Sequence, residues 1–307
     1  MRIVIAGATG NVGRKVARNL QESTEKHTLV LLSRRGDQLR NEESRGAKIM
    51  QGDLEDAVFL KHALEGAEEA FWMIPPRMDA EDLHAYQTLV AQNEAEACRA
   101  NGVNRVVFLS SIGAHIGQGL GPVDGLRDGE DLIRAAVPNV TILRPAYYME
   151  NFLATFDGII RSHTIMLPVS GSTRAPMIAT EDVARAAADA LTETAWTGVR
   201  TISLLGPRDY SFDEAAAVLG RHIGVELRHV KVSPEQARGW LTSSGASESV
   251  AKAYVAMMQA IESGDLAPEA PRSKESTTST TLERFARAVF APAYNETMAR
   301  AAQPIRL

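Results

Sequence analysis

The sequence predicts an α/β protein with a doubly wound parallel sheet, followed by a smaller and mostly helical domain. Two observations support this fold class. Short apolar runs alternate with longer amphipathic segments along the first half of the 307 residues, and mainly helical patterns follow Gly206. Strands that alternate with helices favour a parallel sheet covered on both faces, because each right-handed crossover lays its helix against the sheet.

Six apolar runs are predicted to be strands of this sheet, since each is short and bounded by turn residues or helical segments. They are Arg2–Ala6, Thr28–Leu32, Ala47–Met50, Ala70–Ile74, Val106–Leu109 and Val140–Leu143. Amphipathic patterns predict helices over Asn11–Glu22 and Asp79–Asn101. Gly102 ends the second helix, because glycine is common just after the last turn of a helix.

The chain is expected to return to the first domain after starting the second. A helix over Thr180–Leu191 and a strand over Val199–Leu205 are assigned to the first domain. The predicted first domain is residues 1–155 with 178–205, and the second is residues 156–177 with 206–307. The second domain should cover the carboxyl edge of the sheet, where ligands of such folds bind. Its predicted elements are a strand over Val225–Val232, a surface loop over Ser273–Thr281 and a helix over Leu282–Phe290.

Composition and charge exclude several classes of protein. The chain has 33 basic and 38 acidic residues, a net charge of -5, and no basic block that would mark a nucleic-acid surface. Cys98 is the only cysteine, which excludes an intramolecular disulfide and favours a structural role. The histidines lack metal-ligand spacing, and no apolar run reaches the roughly 18 residues of a membrane span. We expect a cytoplasmic protein without metal, membrane or nucleic-acid partners.

The glycine-rich segment Gly7–Gly13 lies between the first predicted strand and the first predicted helix. Gly7 would permit a tight turn, Gly10 would let the backbone approach a pyrophosphate, and Gly13 would allow close packing of helix and strand. The helix N-terminus would add backbone N–H groups and a partial positive charge. An ordinary glycine-rich turn is disfavoured by the combination of strand, spacing and helix. We predict a dinucleotide-binding loop.

The residues after the second strand indicate which dinucleotide is bound. A cofactor without a 2′-phosphate is usually held by a carboxylate at this point, whereas this strand ends in Ser33, Arg34 and Arg35. A guanidinium suits the 2′-phosphate in charge and in bidentate geometry. The alternative is a solvated arginine pair on a loop. NADP(H) is the predicted cofactor.

Several motifs together resemble the NmrA-like family of atypical short-chain dehydrogenases/reductases, of the quinone oxidoreductase and triphenylmethane reductase type. The resemblance covers about residues 1–220 and is loose beyond them. Its motifs are Gly7–Gly13, Gly52–Leu54, Asn93, Ser110–Ser111, Thr141–Asn151, Glu181–Ala184, Leu205–Pro207 and Thr281–Ala286. The resemblance implies NADP(H) binding, in a family whose members reduce quinones, triphenylmethane dyes or isoflavonoids or act as redox-sensing regulators.

The resemblance also implies a set of cofactor contacts. The step at Asp53 and Leu54 looks like the family's contact with adenine, and Trp72–Pro76 should run beside the ribose and nicotinamide, with Trp72 itself buried in the sheet. The predicted contacts are Gly7, Thr9, Gly10, Asn11, Val12, Gly13, Ser33, Arg34, Arg35, Asp53, Leu54, Met73, Ile74, Ser110 and Ser111.

The sequence departs from the pattern of short-chain dehydrogenases in its proton donor. These enzymes usually carry a Tyr-x-x-x-Lys pair, in which the lysine lowers the pKa of the tyrosine. None of the six tyrosines has a lysine four residues later, and no lysine occurs between Lys61 and Lys231. Arg127, just before the glutamate that matches the family at Glu130, supplies a positive charge but cannot shuttle protons, because arginine stays charged.

We therefore predict an NADP(H)-dependent oxidoreductase that transfers hydride to a small aromatic, quinonoid or conjugated carbonyl substrate without such a pair. Tyr147 and Tyr148 after the sixth strand, and His115 in the glycine-rich loop Gly113–Gly125, are the candidate proton donors. The alternatives are core packing for the tyrosines and a plain surface position for His115.

The rival function is a non-catalytic NADP(H) sensor that controls a partner protein through cofactor occupancy. An epimerase or lyase is disfavoured, because such enzymes would use the missing Tyr-x-x-x-Lys pair. A homodimer or a regulatory protein partner is left open by the sequence. Glu150 and Asn151 are expected to anchor the link between the two domains.

Overall fold

A computed structural model describes residues 1–193 and 195–301. Its strands are β1 (Arg2–Ile5), β2 (Thr28–Ser33), β3 (Lys48–Gln51), β4 (Glu69–Met73), β5 (Arg105–Leu109), β6 (Asn139–Pro145), β7 (Tyr147–Tyr148), β8 (Thr164–Leu167), β9 (Arg174–Ile178), β10 (Val199–Leu204), β11 (Asp209–Ser211) and β12 (Arg228–Lys231). A seven-stranded sheet has the order β10-β6-β5-β4-β1-β2-β3, and all its pairs are parallel. The predicted doubly wound parallel sheet is confirmed.

The α-helices are α1 (Gly13–Glu22), α2 (Arg40–Ser44), α3 (Ala57–Ala63), α4 (Leu83–Asn101), α5 (Pro122–Ala136), α6 (Phe156–Ser162), α7 (Thr180–Thr192), α8 (Phe212–Ile223), α9 (Pro234–Ser243), α10 (Glu248–Ser263), α11 (Leu282–Phe285) and α12 (Ala291–Ala301). The segments Gly36–Leu39 and Met149–Thr155 are 3-10 helices, and Ala286–Phe290 is a π-helical turn. α4 ends at Gly102 with φ of 63°, which confirms the predicted stop. No helix of the described residues is long and apolar enough to cross a membrane.

Helices cover the sheet on both faces. The α4-side cluster includes Leu60 of α3, Val90 of α4 and Ile133 of α5. The α1-side cluster, on the other face, includes Val16 of α1 and Val183 of α7. Both faces of the inner strands are therefore buried, which explains why these strands read as continuous apolar runs in the sequence.

Neighbouring residues of β4 enter opposite faces of the sheet, as expected for a strand. Trp72 belongs to the α4-side cluster and Phe71 to the α1-side cluster. The indole Nε1 of Trp72 donates a hydrogen bond of 3.0 Å to Sγ of Cys98. Cys98 is buried in the core, and its pKa is raised to about 12 by burial. A structural role for this thiol follows, since a buried neutral thiol is unreactive.

The C-terminal part of the chain has its own apolar core, the C-terminal cluster, which includes Phe152, Phe212, Phe285 and Phe290. Two small sheets adjoin it, with the orders β11-β9-β7 and β12-β8. A strand is predicted over Val225–Val232, and the observed strand, β12, is shorter and spans Arg228–Lys231. The other strands of these two sheets are not predicted by the sequence, because two to five residues carry too little periodicity to identify a strand. The domain boundaries proposed above stay a prediction.

The segment Ser273–Thr281 is a loop between α10 and α11 with most of its residues exposed, which confirms the surface loop that its serines and threonines predict. Ser276 and Thr280 are buried. The backbone N–H of Leu205 donates to the carbonyl oxygen of Ser276 at 2.8 Å, and the carboxylate of Asp182 accepts hydrogen bonds from the N–H and the hydroxyl of Thr280 at 2.9 and 2.8 Å. Partners far away in the chain satisfy these polar groups, which lets two residues of the loop be buried.

Candidate functional site

The glycine-rich segment forms a tight turn between β1 and α1. Gly7 has a φ of +62°, and its carbonyl oxygen accepts a hydrogen bond of 2.8 Å from the N–H of Gly10. A β-carbon built on Gly13 would lie 2.4 Å from the carbonyl oxygen of Gly7. Any larger residue at position 13 would therefore force the turn and the helix apart. The residue before α1, Val12, has no side-chain hydrogen bond to the helix, and the first turn has no acidic residue.

The end of β2 lies beside this turn. The hydroxyl of Ser33 donates to Oγ1 of Thr9 at 3.3 Å, and the N–H of Arg35 donates to Oγ of Ser33 at 3.0 Å. Arg34 and Arg35 are exposed. The structure thus places Thr9, Ser33 and the two arginines at the same edge, as the sequence predicts for a site that holds a 2′-phosphate.

The turn after β3 is held by a side chain from α4. Nδ2 of Asn93 donates to the carbonyl oxygens of Leu54 and Glu55 at 3.2 and 2.9 Å. Asp53 accepts a hydrogen bond of 3.2 Å from the N–H of Glu55. The conformation of the Asp53–Leu54 step therefore depends on Asn93, which is a positioning residue on a helix and not itself at the exposed edge.

Tyr86 is a residue of this region that the sequence analysis missed. Its hydroxyl donates to the carbonyl oxygen of Pro75 at 3.0 Å, and the Arg77 guanidinium lies 5.6 Å from its ring centroid. Burial raises the pKa of Tyr86 to about 12, with Arg34 lowering and Asp53 raising it. Tyr86 therefore ties α4 to the segment that follows β4. Its seven-residue spacing from Asn93, two helical turns on one face, is the signal that could have found it.

Met73 ends β4 beside the glycine turn, and Ile74 follows it in the chain. A β-carbon on Gly7 would lie 2.2 Å from Sδ of Met73, so the thioether packs directly on the turn. Met73 contacts the α1-side cluster and Ile74 belongs to the α4-side cluster. The two residues predicted beside the cofactor therefore point to opposite faces of the sheet.

Ser110 at the end of β5 is part of a buried ionic network. Its hydroxyl donates to Oε1 of Glu130 at 2.5 Å, and Glu130 has no exposed surface. Arg144 donates to both oxygens of Glu130 at 2.9 and 2.7 Å, and Arg134 adds a contact of 2.8 Å. The hydroxyl proton of Ser110 is thus engaged in a hydrogen bond to a buried carboxylate. This bond ties the end of β5 to Glu130 on α5. A contact from Ser110 to the cofactor stays a prediction.

The loop after β5 differs from its predicted extent. Residues from Pro122 onward form α5, so the glycine-rich loop ends at Gly121 and does not reach Gly125. Gly125 is a packing residue of the helix, because a β-carbon there would lie 2.4 Å from Oε1 of Gln87 on α4. Ser111 is half-buried in the turn that opens the loop, and His115 is exposed on it. The surface position of His115 matches the alternative that the sequence left open.

Tyr147 and Tyr148 extend to opposite sides of the short strand β7. Tyr147 packs edge-on against Phe152 and Phe212, at centroid distances of 5.7 and 5.5 Å. Tyr148 packs against the α1-side cluster. Burial raises the pKa of both phenols, and the hydrogen bond from Asn151 to Tyr147 offsets only part of this. The raised pKa values disfavour proton transfer from these phenols near neutral pH, and a catalytic role for either tyrosine stays a prediction.

Glu150 anchors the segment that follows these tyrosines. It is buried, and it accepts hydrogen bonds from the N–H of Thr180 at 3.1 and 3.0 Å and from its hydroxyl at 2.5 Å. Nζ of Lys15 on α1 lies 3.3 Å from Oε1 of Glu150. Glu150 therefore holds the segment after β7 against α7 and α1, and the link between the two domains expected of Glu150 and Asn151 stays a prediction. The contribution of Lys15 was missed, because the two residues are 135 positions apart in the chain.

A cleft of about 340 Å³ borders the glycine turn. Thr9, Gly10 and Asn11 line it together with Glu42 and four basic side chains, those of Arg14, Lys15, Arg18 and Arg45. Each of the four basic side chains is paired with a glutamate. A cleft of about 430 Å³ between α7 and β10 contains none of the predicted site residues. Within the described ranges, no group of three or more His, Cys, Asp or Glu residues could hold a metal.

Comparisons with known proteins agree with this geometry. The profile of a family described as NAD(P)H-binding matches residues 7–194. The NAD(P)H azoreductase of Xenophilus azovorans is 28% identical over 82% of this chain and 84% of its own length. Quinone oxidoreductase 2 of Escherichia coli is 24% identical over 81% of this chain and 84% of its own length. The crystal structure of Citrobacter sp. triphenylmethane reductase with NADP(H) has a TM-score of 0.77 at 22% identity and covers 94% of this chain and 100% of its own.

Proposed function

This chain belongs to the NAD(P)H-binding family, and from that premise we propose that it is an NADPH-dependent reductase of small aromatic, quinonoid or conjugated carbonyl compounds. The names of its relatives, an azoreductase and a quinone oxidoreductase, support this class of acceptor. The single observation that carries the proposal is the turn at Gly7, Gly10 and Gly13 at the N-terminus of α1. A cytoplasmic location and small-molecule partners are part of the same proposal.

The residues of this turn fit a pyrophosphate. The left-handed backbone at Gly7 and the lack of space for a β-carbon at Gly13 leave main-chain atoms, not side chains, at the surface of the turn. The helix that follows carries no carboxylate in its first turn to repel an anion. Gly7, Thr9, Gly10, Asn11, Val12 and Gly13 would hold the phosphates, and Asp53, Leu54, Met73 and Ile74 would border the adenine and ribose.

The preference for NADPH over NADH is supported by the end of β2. Ser33 is occupied by its hydrogen bonds with Thr9 and Arg35, and the exposed side chains that follow are two guanidinium groups. A guanidinium binds a phosphate dianion through charge-assisted, bidentate hydrogen bonds. A carboxylate suited to the free ribose hydroxyl of NADH does not occur among residues 33–35.

The residues of this chain restrict the class of acceptor. When bound, NADPH supplies a hydride. Tyr147 and Tyr148 keep their protons, because burial raises the pKa of both phenols. The hydroxyl group of Ser110 keeps its proton in the hydrogen bond that it donates to Glu130. Acceptors that delocalise the incoming charge and take a proton from water need no strong acid from the protein, and quinones and conjugated carbonyl compounds have this property.

The test is transient oxidation of bound NADPH by a panel of quinones, enones and dyes. We expect fast oxidation by quinones, slower oxidation by enones, and loss of NADPH binding in Gly13→Ala, whose β-carbon has no room beside Gly7. Gly239→Ala is the matched control, because nothing lies within 4 Å of a β-carbon there. Absence of NADPH binding in the parent protein would contradict the proposal.

A non-catalytic NADP(H) sensor is the second candidate. The hydroxyl of Ser110 already donates to Glu130, and the pKa values of Tyr147 and Tyr148 are raised. Both observations favour a sensor, because a binding protein needs no proton donor. Tight NADPH binding without oxidation by any acceptor of the panel would favour the sensor over the reductase.

A further inference from the structure

The connection between α10 and α11 crosses the carboxyl ends of β5 and β6. Its first anchor is an ion pair, since Nη1 of Arg144, at the end of β6, lies 2.6 Å from Oε2 of Glu269. Its second anchor is Arg272, whose guanidinium donates to the carbonyl oxygens of Gly206 and Leu205 at 2.5 and 3.1 Å. Ligands of doubly wound sheets bind at this edge.

Leu266 is the apolar side chain of this connection that reaches the end of β5. A β-carbon on Gly113, three residues after Ser110, would lie 2.6 Å from Cδ1 of Leu266. Gly113 has a φ of +84°, so both its backbone and the adjacent leucine require glycine there. The loop after β5 and Leu266 are therefore in direct contact.

Leu266 lies where separate apolar cores meet. It packs against the α1-side cluster, the C-terminal cluster, and the small cluster of Ala114, Leu120, Val123 and Ala260. Leu266 is nevertheless only half-buried. A partly exposed leucine at such a junction forms a wall between the sheet edge and the C-terminal part of the chain.

The backbone on both sides of Leu266 is held in place. The N–H of Leu266 donates to the carbonyl oxygen of Ala260 at 2.9 Å, and the hydroxyl of Ser263 donates to Asp265 at 2.5 Å. Glu269 follows within three residues and is paired with Arg144, whose other bonds go to the buried Glu130. The position of Leu266 is thus coupled to the network that also holds Ser110.

We propose that Leu266 is a specificity-determining residue that limits the size of the acceptor. This inference rests on the proposed reductase function and deepens it. An apolar wall opposite the end of β5 offers van der Waals contact to a flat ring but no hydrogen bond, so it discriminates acceptors by width and not by polar groups. Small single-ring acceptors fit beside Leu266, and wide three-ring acceptors meet its Cδ atoms.

The experiment compares para-benzoquinone with anthraquinone sulfonate as acceptors for the parent protein, Leu266→Ala and Leu266→Val. We expect the ratio of kcat/KM for the three-ring acceptor to that for the one-ring acceptor to rise about tenfold or more in Leu266→Ala, because one to a few methylene groups in an apolar pocket are worth that much. Leu266→Val should give a smaller rise in the same direction. NADPH affinity is measured in parallel.

Leu120→Ala is the matched control, because Leu120 also approaches the β-carbon position of Gly113, at 3.3 Å, but is buried in the small cluster. It should lower stability and leave the acceptor ratio within about twofold of the parent. An unchanged ratio in both Leu266 variants, or an equal change in Leu120→Ala, would overturn the inference. If Leu266→Ala does not fold, the ratio in Leu266→Val decides.

A separate arm distinguishes failure of this inference from failure of the proposed function. If none of the acceptors oxidises NADPH bound to the parent protein, the reductase proposal fails. Binding of the redox-inert anthracene sulfonate to the NADPH complex then decides the role of Leu266. Tighter binding of anthracene sulfonate to Leu266→Ala than to the parent supports the inference that Leu266 limits the size of the bound ring system. Equal binding to the two proteins refutes it.

Discussion

Lys15 and Glu150 form an ion pair of 3.3 Å between Nζ and Oε1 that joins the helix of the glycine turn to the segment carrying Tyr147 and Tyr148. Nζ of Lys15 also donates to Oγ1 of Thr180 at 2.6 Å. A cation near a helix N-terminus opposes the helix dipole. The position of Lys15 in the first turn of α1 is therefore explained by its ion pair with the buried carboxylate of Glu150.

Lys15→Met should destabilise the protein by about 2–4 kcal/mol, because it leaves Glu150 buried with one fewer charge partner. The free energy of unfolding in urea is the measurement. Arg18→Met is the control, since its partner Glu181 has 34% of its side chain exposed, and a loss of at most about 1 kcal/mol is expected there. An equal loss of unfolding free energy in Lys15→Met and Arg18→Met would show that burial of Glu150 does not strengthen its ion pair with Lys15.

Arg34→Ala should weaken NADPH binding about ten- to a hundredfold, since a charge-assisted contact is worth about 1.5–3 kcal/mol. NADH binding should change little, because NADH lacks the 2′-phosphate. Titration of both cofactors measures the difference. Arg40→Ala, on an exposed arginine of α2, is the control. Equal weakening of the two cofactors by Arg34→Ala would refute a role in recognising the 2′-phosphate.

Tyr147→Phe and Tyr148→Phe should each keep most of the single-turnover rate of NADPH oxidation. Burial raises the pKa of both phenols, whereas general acid catalysis needs a pKa near the operating pH and contributes about 10²–10⁴-fold. Transient kinetics with a quinone and an enone provides the test. A loss of about a thousandfold in either variant, with NADPH affinity and folding unchanged, would identify that tyrosine as a proton donor.

Glu94→Met should stabilise the protein, and more so at pH 8 than at pH 5. Glu94 is fully buried, both its carboxylate oxygens lack a hydrogen-bond partner among the described residues, and burial raises its pKa well above the usual range. A carboxyl group whose pKa is raised in the folded state contributes its stability below the pKa of the unfolded state. As the pH rises from there toward the pKa of the folded state, the free energy of unfolding falls by up to about 1.4 kcal/mol for each pH unit.

The measurement for Glu94 is urea unfolding of the parent and the variant across this pH range. Glu96→Met is the control, because Glu96 is exposed on the same helix. A gain that is independent of pH would show that Glu94 is not held neutral in the folded state.

Much of the sheet could be predicted from the sequence, because its strands and helices follow local rules. The strand from Arg2, the turn at Gly7–Gly13 and the stop at Gly102 each depend on apolar runs or glycine φ values within a few residues. The same local rules explain the errors. The loop predicted over Gly113–Gly125 is too long because Gly125 resembles a loop glycine in the sequence, whereas it makes room for Gln87 of another helix.

The sequence by itself determined the parallel sheet, the glycine turn after β1 and the arginines at the end of β2, since these depend on neighbours along the chain. Only the tertiary structure decided that Lys15 pairs with Glu150, that Ser110 donates to Glu130, and that Leu266 lies on Gly113. These contacts join positions 20 to 153 residues apart. Periodicity and backbone preference act over a few residues, so pairings over such separations exist only once the chain has packed.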